Sequence, residues 1–230
     1  MLYYRGEVIS LNIKVAIFDM DGTLVDSLML WDIIWSAFGE KYLKEKSFRP
    51  RVEDDKKVRT LTLKDAMDLI HRNYHLGKNG EELLVLANSI MLDFYANQVE
   101  LKSGVREFLE YLYAGGTKMC IASATMPDLL AVAMKHCDIE KYFSKIFSCG
   151  EIGKGKEHPD VFLMARDSFG AGMEDTWVFE DSLVAIETAT KVGFKTVGIY
   201  DRFNFGQDRM REIATEYVAP GETLLKLINK

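Results

Sequence analysis

Two pairs of acids stand where short apolar runs end. Lys14-Val-Ala-Ile-Phe leads into Asp19-Met20-Asp21-Gly22-Thr23, and Thr176-Trp-Val-Phe leads into Glu180-Asp181. A carboxylate buried beside another is costly unless a cation or a substrate needs both. Gly22 allows the backbone to turn sharply just after the first pair. Each pair has a plainer reading: an Asx turn for Asp19 and Asp21, and a helix cap for Asp181 or Ser182. Taken together they point elsewhere. In an open parallel sheet the strand C-termini share one edge, and ligands bind there, so both pairs project to one place. Carboxylates gathered at that edge, with few His or Cys nearby, make a hard oxygen site suited to Mg2+.

Ser123 ends the run Lys118-Met-Cys-Ile-Ala and precedes Ala124, Thr125 and a helical segment. A hydroxyl beside fresh backbone N–H groups at a helix start suits an anion, and serves equally well as a plain cap. Gly153-Lys-Gly-Lys156 offers two lysines, of which Lys156 is favoured and Lys154 is the competitor. Gly150 to Lys156 has the spacing of a P-loop, but Glu157 stands where Ser or Thr would ligate magnesium, and His-Pro follows. His71 and His75 lie four apart without the Glu of a metalloprotease helix, so they read as surface. No dinucleotide fingerprint follows a strand, and no nucleophile elbow is present.

The elements that must position these groups follow from periodicity. Lys14–Asp19, Lys118–Ser123, Thr176–Asp181 and Phe194–Tyr200 read as buried strands, with Lys145–Ser148 and Glu216–Ala219 as weaker ones. Helical spacing covers Val105–Tyr113, Pro127–His136, Pro159–Phe169 and Ser182–Val192. Strands alternating with helices imply a parallel sheet covered on both faces. From Leu28 to Glu100 no strand is convincing. Leu28–Lys44, Leu63–Tyr74 and Gly80–Asn97 have helical stripes, and the charged stretch Lys44–Lys57 reads as a surface loop. The span is too long for a connection within a βα unit, which predicts a helical domain inserted after the first strand.

Composition narrows the partners. Lys and Arg total 29 against 35 Asp and Glu, a net charge of -6, which argues against a polyanion such as nucleic acid. Apolar residues at 48% and charged residues at 28% fit a globular chain and exclude wholesale disorder. Cys120, Cys137 and Cys149 are odd in number and contain no CxxC, so no disulfide framework is expected. No apolar stretch approaches the roughly 18 residues of a membrane span, and Met1 to Asn12 has no signal-peptide core. A cytoplasmic protein is the expectation, a monomer or weak homodimer without a membrane or nucleic-acid partner.

These features, in this order, resemble the haloacid dehalogenase superfamily of hydrolases over nearly the whole chain. Asp19-x-Asp21-Gly-Thr-Leu-Val-Asp-Ser resembles the superfamily's first motif, and Ser123 the hydroxyl of the second. Lys156, three residues before Pro159-Asp160-Val-Phe, resembles the lysine of the third, and Glu180-Asp181-Ser182 the acidic fourth. The resemblance implies an α/β fold: a Rossmann-like parallel core from residues 1–27 and 101–230, and a helical cap at 28–100 of the β-phosphoglucomutase-like kind. It implies that Asp19 is the nucleophile and forms an aspartyl phosphate, with Asp21 as general acid and base. Mg2+ would be held by Asp19, the Asp21 carbonyl and Asp181, with Glu180 or waters completing the shell. The substrate's phosphoryl group would meet Thr23, Ser123, Ala124 and Lys156. Dehalogenases and phosphonatases lack an acid at the place of Asp21. A phosphoester leaving group needs a proton, so a phosphatase acting on a small phosphorylated metabolite is expected. A phosphomutase uses the same core, but where β-phosphoglucomutases carry Gly-Val-Ser-Arg this chain has Thr60-Leu61-Thr62-Leu63. A silent phosphate-sensing or scaffold module is disfavoured because all four motifs are intact. Specificity is expected in the cap, around Trp31, Trp35, Arg59 and Lys64.

Overall fold

The computed structural model describes residues 13–59 and 61–228; the readings made at Met1 to Asn12 and at Thr60 lie outside the described residues. Six strands, β1 (Val15–Phe18), β2 (Lys118–Ser123), β3 (Lys145–Ser148), β4 (Thr176–Glu180), β5 (Lys195–Ile199) and β6 (Glu216–Val218), form one parallel sheet in the order β3-β2-β1-β4-β5-β6. All six apolar runs singled out in the sequence are strands.

The central strand shows why the sheet must be covered twice. Successive side chains point to opposite faces, and all four residues of β1 are buried. Ala16 and Phe18 enter one hydrophobic cluster, while Val15 and Ile17 enter a second with Val161, Phe162 and Ala185. Helices α5 (Val105–Ala114) and α6 (Pro127–His136) contribute to the first cluster, α8 (Asp160–Asp167) and α9 (Leu183–Lys191) chiefly to the second. This is a Rossmann-like core with helices on both faces.

Between β1 and β2 the chain builds the helical cap: α1 (Leu30–Phe38), α2 (Val52–Val58), α3 (Leu63–Tyr74) and α4 (Gly80–Asn97). Thr62 caps α3 by accepting the Asp65 N–H at 3.2 Å, and Asn79 caps α4 by accepting the Glu82 N–H at 2.9 Å. The two passages between core and cap are tied together. The Asp26 N–H donates to the Glu100 carbonyl at 3.0 Å, and the Lys102 N–H donates to the Leu24 carbonyl at 2.9 Å. Helix α4 lies against α6 of the core.

Some expectations need correction. Lys44–Lys57 is not all loop, because α2 begins inside it. Its acids Glu53, Asp54 and Asp55 precede Lys56 and Lys57, the order a helix dipole favours; charge on nearly every position hid the turn anchored by buried Val58. The first cap helix ends at Phe38 and continues as a π-helical turn, Gly39–Leu43. Two short helices, α7 (Cys149–Ile152) and α10 (Gln207–Ile213), have too few apolar positions to show a period. The three cysteines are free and buried. Among the described residues no helix is long and apolar enough to cross a membrane.

Phe18 is fully buried, stacked on Phe179 at 4.3 Å and edge-on to Phe108 and Phe143. Phe18→Ala is expected to cost about 3–5 kcal/mol in urea denaturation; a loss under about 1 kcal/mol would show that this contact does not organise the sheet.

Candidate active site

Strand pairing brings the acids together. Phe18 lies opposite Phe179 in the β1–β4 ladder, and the Asp19 N–H donates to the Phe179 carbonyl at 2.9 Å. Asp19 therefore leaves the sheet beside Glu180 and Asp181. All three are buried, with carboxylate oxygens within 4.8 Å of one another. On the other flank β2 ends at buried Ser123. Gly22 turns the chain at φ +74, and a Cβ there would run into the Asp181 carboxylate. Both the backbone angle and the space at this position demand glycine.

Lys156 reaches into this cluster. Its ammonium donates to Asp19 Oδ1 at 2.5 Å and to Glu180 Oε1. The competitor Lys154 instead pairs with Asp160 at 2.6 Å in a more exposed position. Glu180 Oε2 accepts the N–H groups of Asp181 and Ser182 at 3.1 and 3.0 Å. Asp181 Oδ1 accepts the Thr23 hydroxyl at 2.9 Å. Asp181 also meets the Asn204 amide, at its carbonyl at 3.0 Å and at Oδ2.

Asp21 stands apart from the three buried acids. Its Oδ1 accepts hydroxyls from Ser27 and Tyr95, both at 2.6 Å, and its Oδ2 accepts the Thr125 hydroxyl at 2.7 Å. As a metal ligand only its carbonyl was expected. The Ser123 hydroxyl accepts the Thr125 N–H at 3.1 Å, and exposed Ala124 lies between them. Helix α6 is capped at Met126 rather than at Ser123. Ser182 occupies the N-cap of α9 without a side-chain cap bond. Thr23, expected against the substrate, spends its hydroxyl on Asp181. In the cap, Trp35 and Arg59 both donate to Asp55, at 2.9 and 3.0 Å, Trp31 stacks on Trp35, and Lys64 pairs with Asp68. These polar partners lie within the cap. His71 Nδ1 meets the Leu76 carbonyl at the end of α3.

Sequence reasoning missed Tyr95 and Asn204. Tyr95 belongs to an apolar helical stripe and reads as core, and its hydroxyl is the only hint of more. Asn204 lies in a loop with no motif spacing.

The electrostatics are those of a site short of positive charge. Burial, the largest cause, pushes Asp19 from 3.8 up to about 7; Lys156 opposes this, while repulsion from Glu180 and Asp21 adds to it. Burial also raises Asp181 well above its ordinary value, with further repulsion from Glu180 and Asp19. For Lys156, burial works against the charge, but the Asp19 and Glu180 carboxylates outweigh it and raise its pKa. Three acids and one ammonium leave two negative charges without a partner. A divalent cation would supply what is missing, and an all-oxygen donor set fits a hard one.

Residues 16–199 match the family model of haloacid dehalogenase-like hydrolases. The chain belongs to this family. It is 24% identical over 213 residues to the phosphorylated carbohydrates phosphatase of Thermotoga maritima, covering 92% of this chain and 96% of that one. It is also 24% identical over 220 residues to the phosphoglycolate phosphatase of Salmonella typhi, covering 85% and 84%. A β-phosphoglucomutase structure from Clostridium difficile shares the fold with a TM-score of 0.70 at 17% identity, covering 94% and 97%. The chain is thus a hydrolase of the capped haloacid dehalogenase type, with its acidic cluster at the sheet edge.

A carboxyl whose pKa is raised on folding binds its proton more tightly in the folded chain than in the unfolded one. Between about pH 4 and about pH 7 the unfolded chain has lost that proton while the folded chain still holds it, so stability falls as pH rises. Lys156 keeps its charge throughout and adds no slope. In chelator, the Tm of wild type relative to Asp19→Asn should therefore fall from pH 4 to pH 7. A difference independent of pH would show that Asp19 is not held in this environment.

Proposed function

We propose that this hydrolase is a Mg2+-dependent phosphatase that cleaves a small phosphorylated metabolite through an aspartyl phosphate at Asp19. The observation that supports this most is the convergence of Asp19, Glu180 and Asp181 around one ammonium, Lys156, with a second acid, Asp21, nearby but outside the cluster. The phosphatases among its relatives support the same class of substrate.

In this reading an Asp19 carboxylate oxygen attacks phosphorus while the ester P–O bond breaks and the leaving oxygen takes a proton from Asp21. Water then attacks the aspartyl phosphate, Asp21 takes its proton, and phosphate leaves. Lys156, the Ser123 hydroxyl and the backbone N–H at Ala124 hold the phosphoryl oxygens as charge develops on them, and the Thr125 N–H orients the Ser123 hydroxyl. Glu180 has one oxygen on Lys156 and the other on two backbone N–H groups, so it keeps the ammonium aimed at Asp19. Mg2+, held by Asp19, the Asp21 carbonyl and Asp181, would neutralise the charge between a carboxylate and a phosphate dianion.

Hydrolysis is favoured over phosphoryl return to a sugar phosphate. Leu63 opens α3 in the stretch that resembles the mutases' Gly-Val-Ser-Arg, and of the neighbouring cations Arg59 pairs with Asp55 through Nε and Lys64 with Asp68. Leu63 itself brings no charge there, while Arg59 keeps a buried Nη1 without a hydrogen-bond partner among the described residues.

Asp19→Asn keeps the shape and removes the nucleophilic charge. Phosphate release from a panel of sugar and small-acid phosphates should fall by orders of magnitude, and excess chelator should do the same to wild type. Activity surviving the substitution within about tenfold would overturn the assignment. Asp21→Ala should slow an alkyl phosphate by about 100-fold or more and nitrophenyl phosphate much less, because nitrophenolate leaves without a proton. Equal losses on the two substrates would remove Asp21 from the acid–base role.

A further inference from the structure

Among the described residues no ammonium pairs with the Asp181 carboxylate, since Lys156 is taken by Asp19 and Glu180. Its direction is set by two neutral donors: the Thr23 hydroxyl on Oδ1 and the Asn204 amide on Oδ2. Asn204 does more than Thr23, because the same amide nitrogen also donates to the Asp181 carbonyl at 3.0 Å. One group thus spans the main chain and the side chain of a single residue. That fixes the side-chain torsions of Asp181 and leaves each carboxylate oxygen a lone pair for a cation.

The loop that delivers Asn204 is itself anchored. Asp201, 4% exposed, accepts the Phe203 N–H on Oδ1 at 2.9 Å and the Lys102 ammonium on Oδ2 at 2.8 Å. The Asp201 carbonyl accepts the Asn204 N–H at 3.2 Å and the Gln207 side-chain amide at 3.3 Å. Lys102 also donates to the Tyr200 carbonyl at 3.2 Å. A buried ion pair therefore closes the turn from which Asn204 projects.

We infer that Asn204 is a positioning residue for the cation site, holding Asp181 in the orientation that binds Mg2+. The inference rests on the metal site proposed above. Groups that orient a metal ligand from behind typically contribute about 10–100-fold in affinity. Asn204 touches neither the attacking nor the leaving oxygen in the proposed reaction, so its loss should weaken the metal and leave the chemistry intact once metal is restored.

The experiment measures Mg2+ binding to the substrate-free protein by calorimetry and by the Mg2+-dependent rise in Tm. Wild type, Asn204→Ala, Asn204→Ser and Arg202→Ala are compared; the last perturbs the same loop without touching Asp181. Asn204→Ala should bind Mg2+ about tenfold or more weakly, with its Tm in chelator close to wild type and Arg202→Ala binding normally. At saturating Mg2+ its turnover should return to near the wild-type value. Should Asn204→Ala not fold, Asn204→Ser, too short to span Asp181, gives the same reading. Affinity within about twofold of wild type, or an equal loss in Arg202→Ala, would overturn the inference. If wild type itself binds no Mg2+, the proposed metal site fails first and the role of Asn204 with it.

Discussion

The site turns on a shortage: three buried carboxylates gather beside one buried ammonium, which pairs with two of them. Lys156 satisfies one oxygen of Asp19 and one of Glu180, and Asp181 is left to a hydroxyl and an amide. A buried carboxylate without a compensating charge takes up a proton rather than stay ionised, which is the state toward which Asp19 and Asp181 are pushed. Such an arrangement is costly for an isolated chain and is sustained by the packing around it. It is also an arrangement suited to a divalent cation, which would bring the positive charge this site lacks. Stability is given up at one edge of the sheet so that the edge can bind.

The rest of the fold supplies the rigidity that keeps those charges from relaxing apart. β1 sits inside the strand order with β2 and β4 on its two sides, so Glu180 and Asp181 cannot move from Asp19 without breaking the β1–β4 ladder. Aromatic packing locks the same point: Phe18, immediately before Asp19, stacks on Phe179, immediately before Glu180. The residues that pin the sheet are chain neighbours of the residues that carry charge. Gly22 completes the geometry by letting the backbone pass where a side chain would displace Asp181.

The core and the acidic edge were legible because they depend on local signals. A buried parallel strand writes itself as a short apolar run, and its C-terminus marks the edge where ligands bind. Lys156 and Lys154 show the limit of that legibility. They sit two apart in a Gly-rich segment, and no local rule separates them; only the turn between α7 and α8 sends one to Asp19 and the other to Asp160. Thr23 reads as a hydroxyl near phosphate, yet it faces Asp181 across 158 residues of chain. Tyr95 and Asn204 are contacts of the same long-range kind. In α2 the obstacle was different: a helix charged on most of its faces has no apolar stripe to betray it, and its buried residues Asp54 and Val58 are too few to set a period.

The cap meets the catalytic edge at two chemically unlike points, and the contrast bears on how the two domains work together. Tyr95 of α4 donates its hydroxyl to Asp21, the acid that would have to exchange a proton with the leaving group. Ser27, at the first passage into the cap, shares the same carboxylate oxygen. Lys56 of α2 instead lies over the ring of Phe205 at 4.2 Å, on the loop that also carries Asn204. The first contact is short, directional and buried, while the second is a soft contact between exposed groups worth about 0.5–1 kcal/mol. The cap is also packed on the core along α4 and α6, and one hydrophobic cluster runs through both, so the Tyr95 bond lies within a shared apolar interface. Asp19, Glu180 and Asp181 draw the side-chain bonds described above from the core alone. The contrast follows from where the hydrogen bonds originate: the three clustered acids are oriented by the core alone, while Asp21 takes one of its three hydroxyl donors from the cap, so the packing of α4 bears directly on that carboxylate.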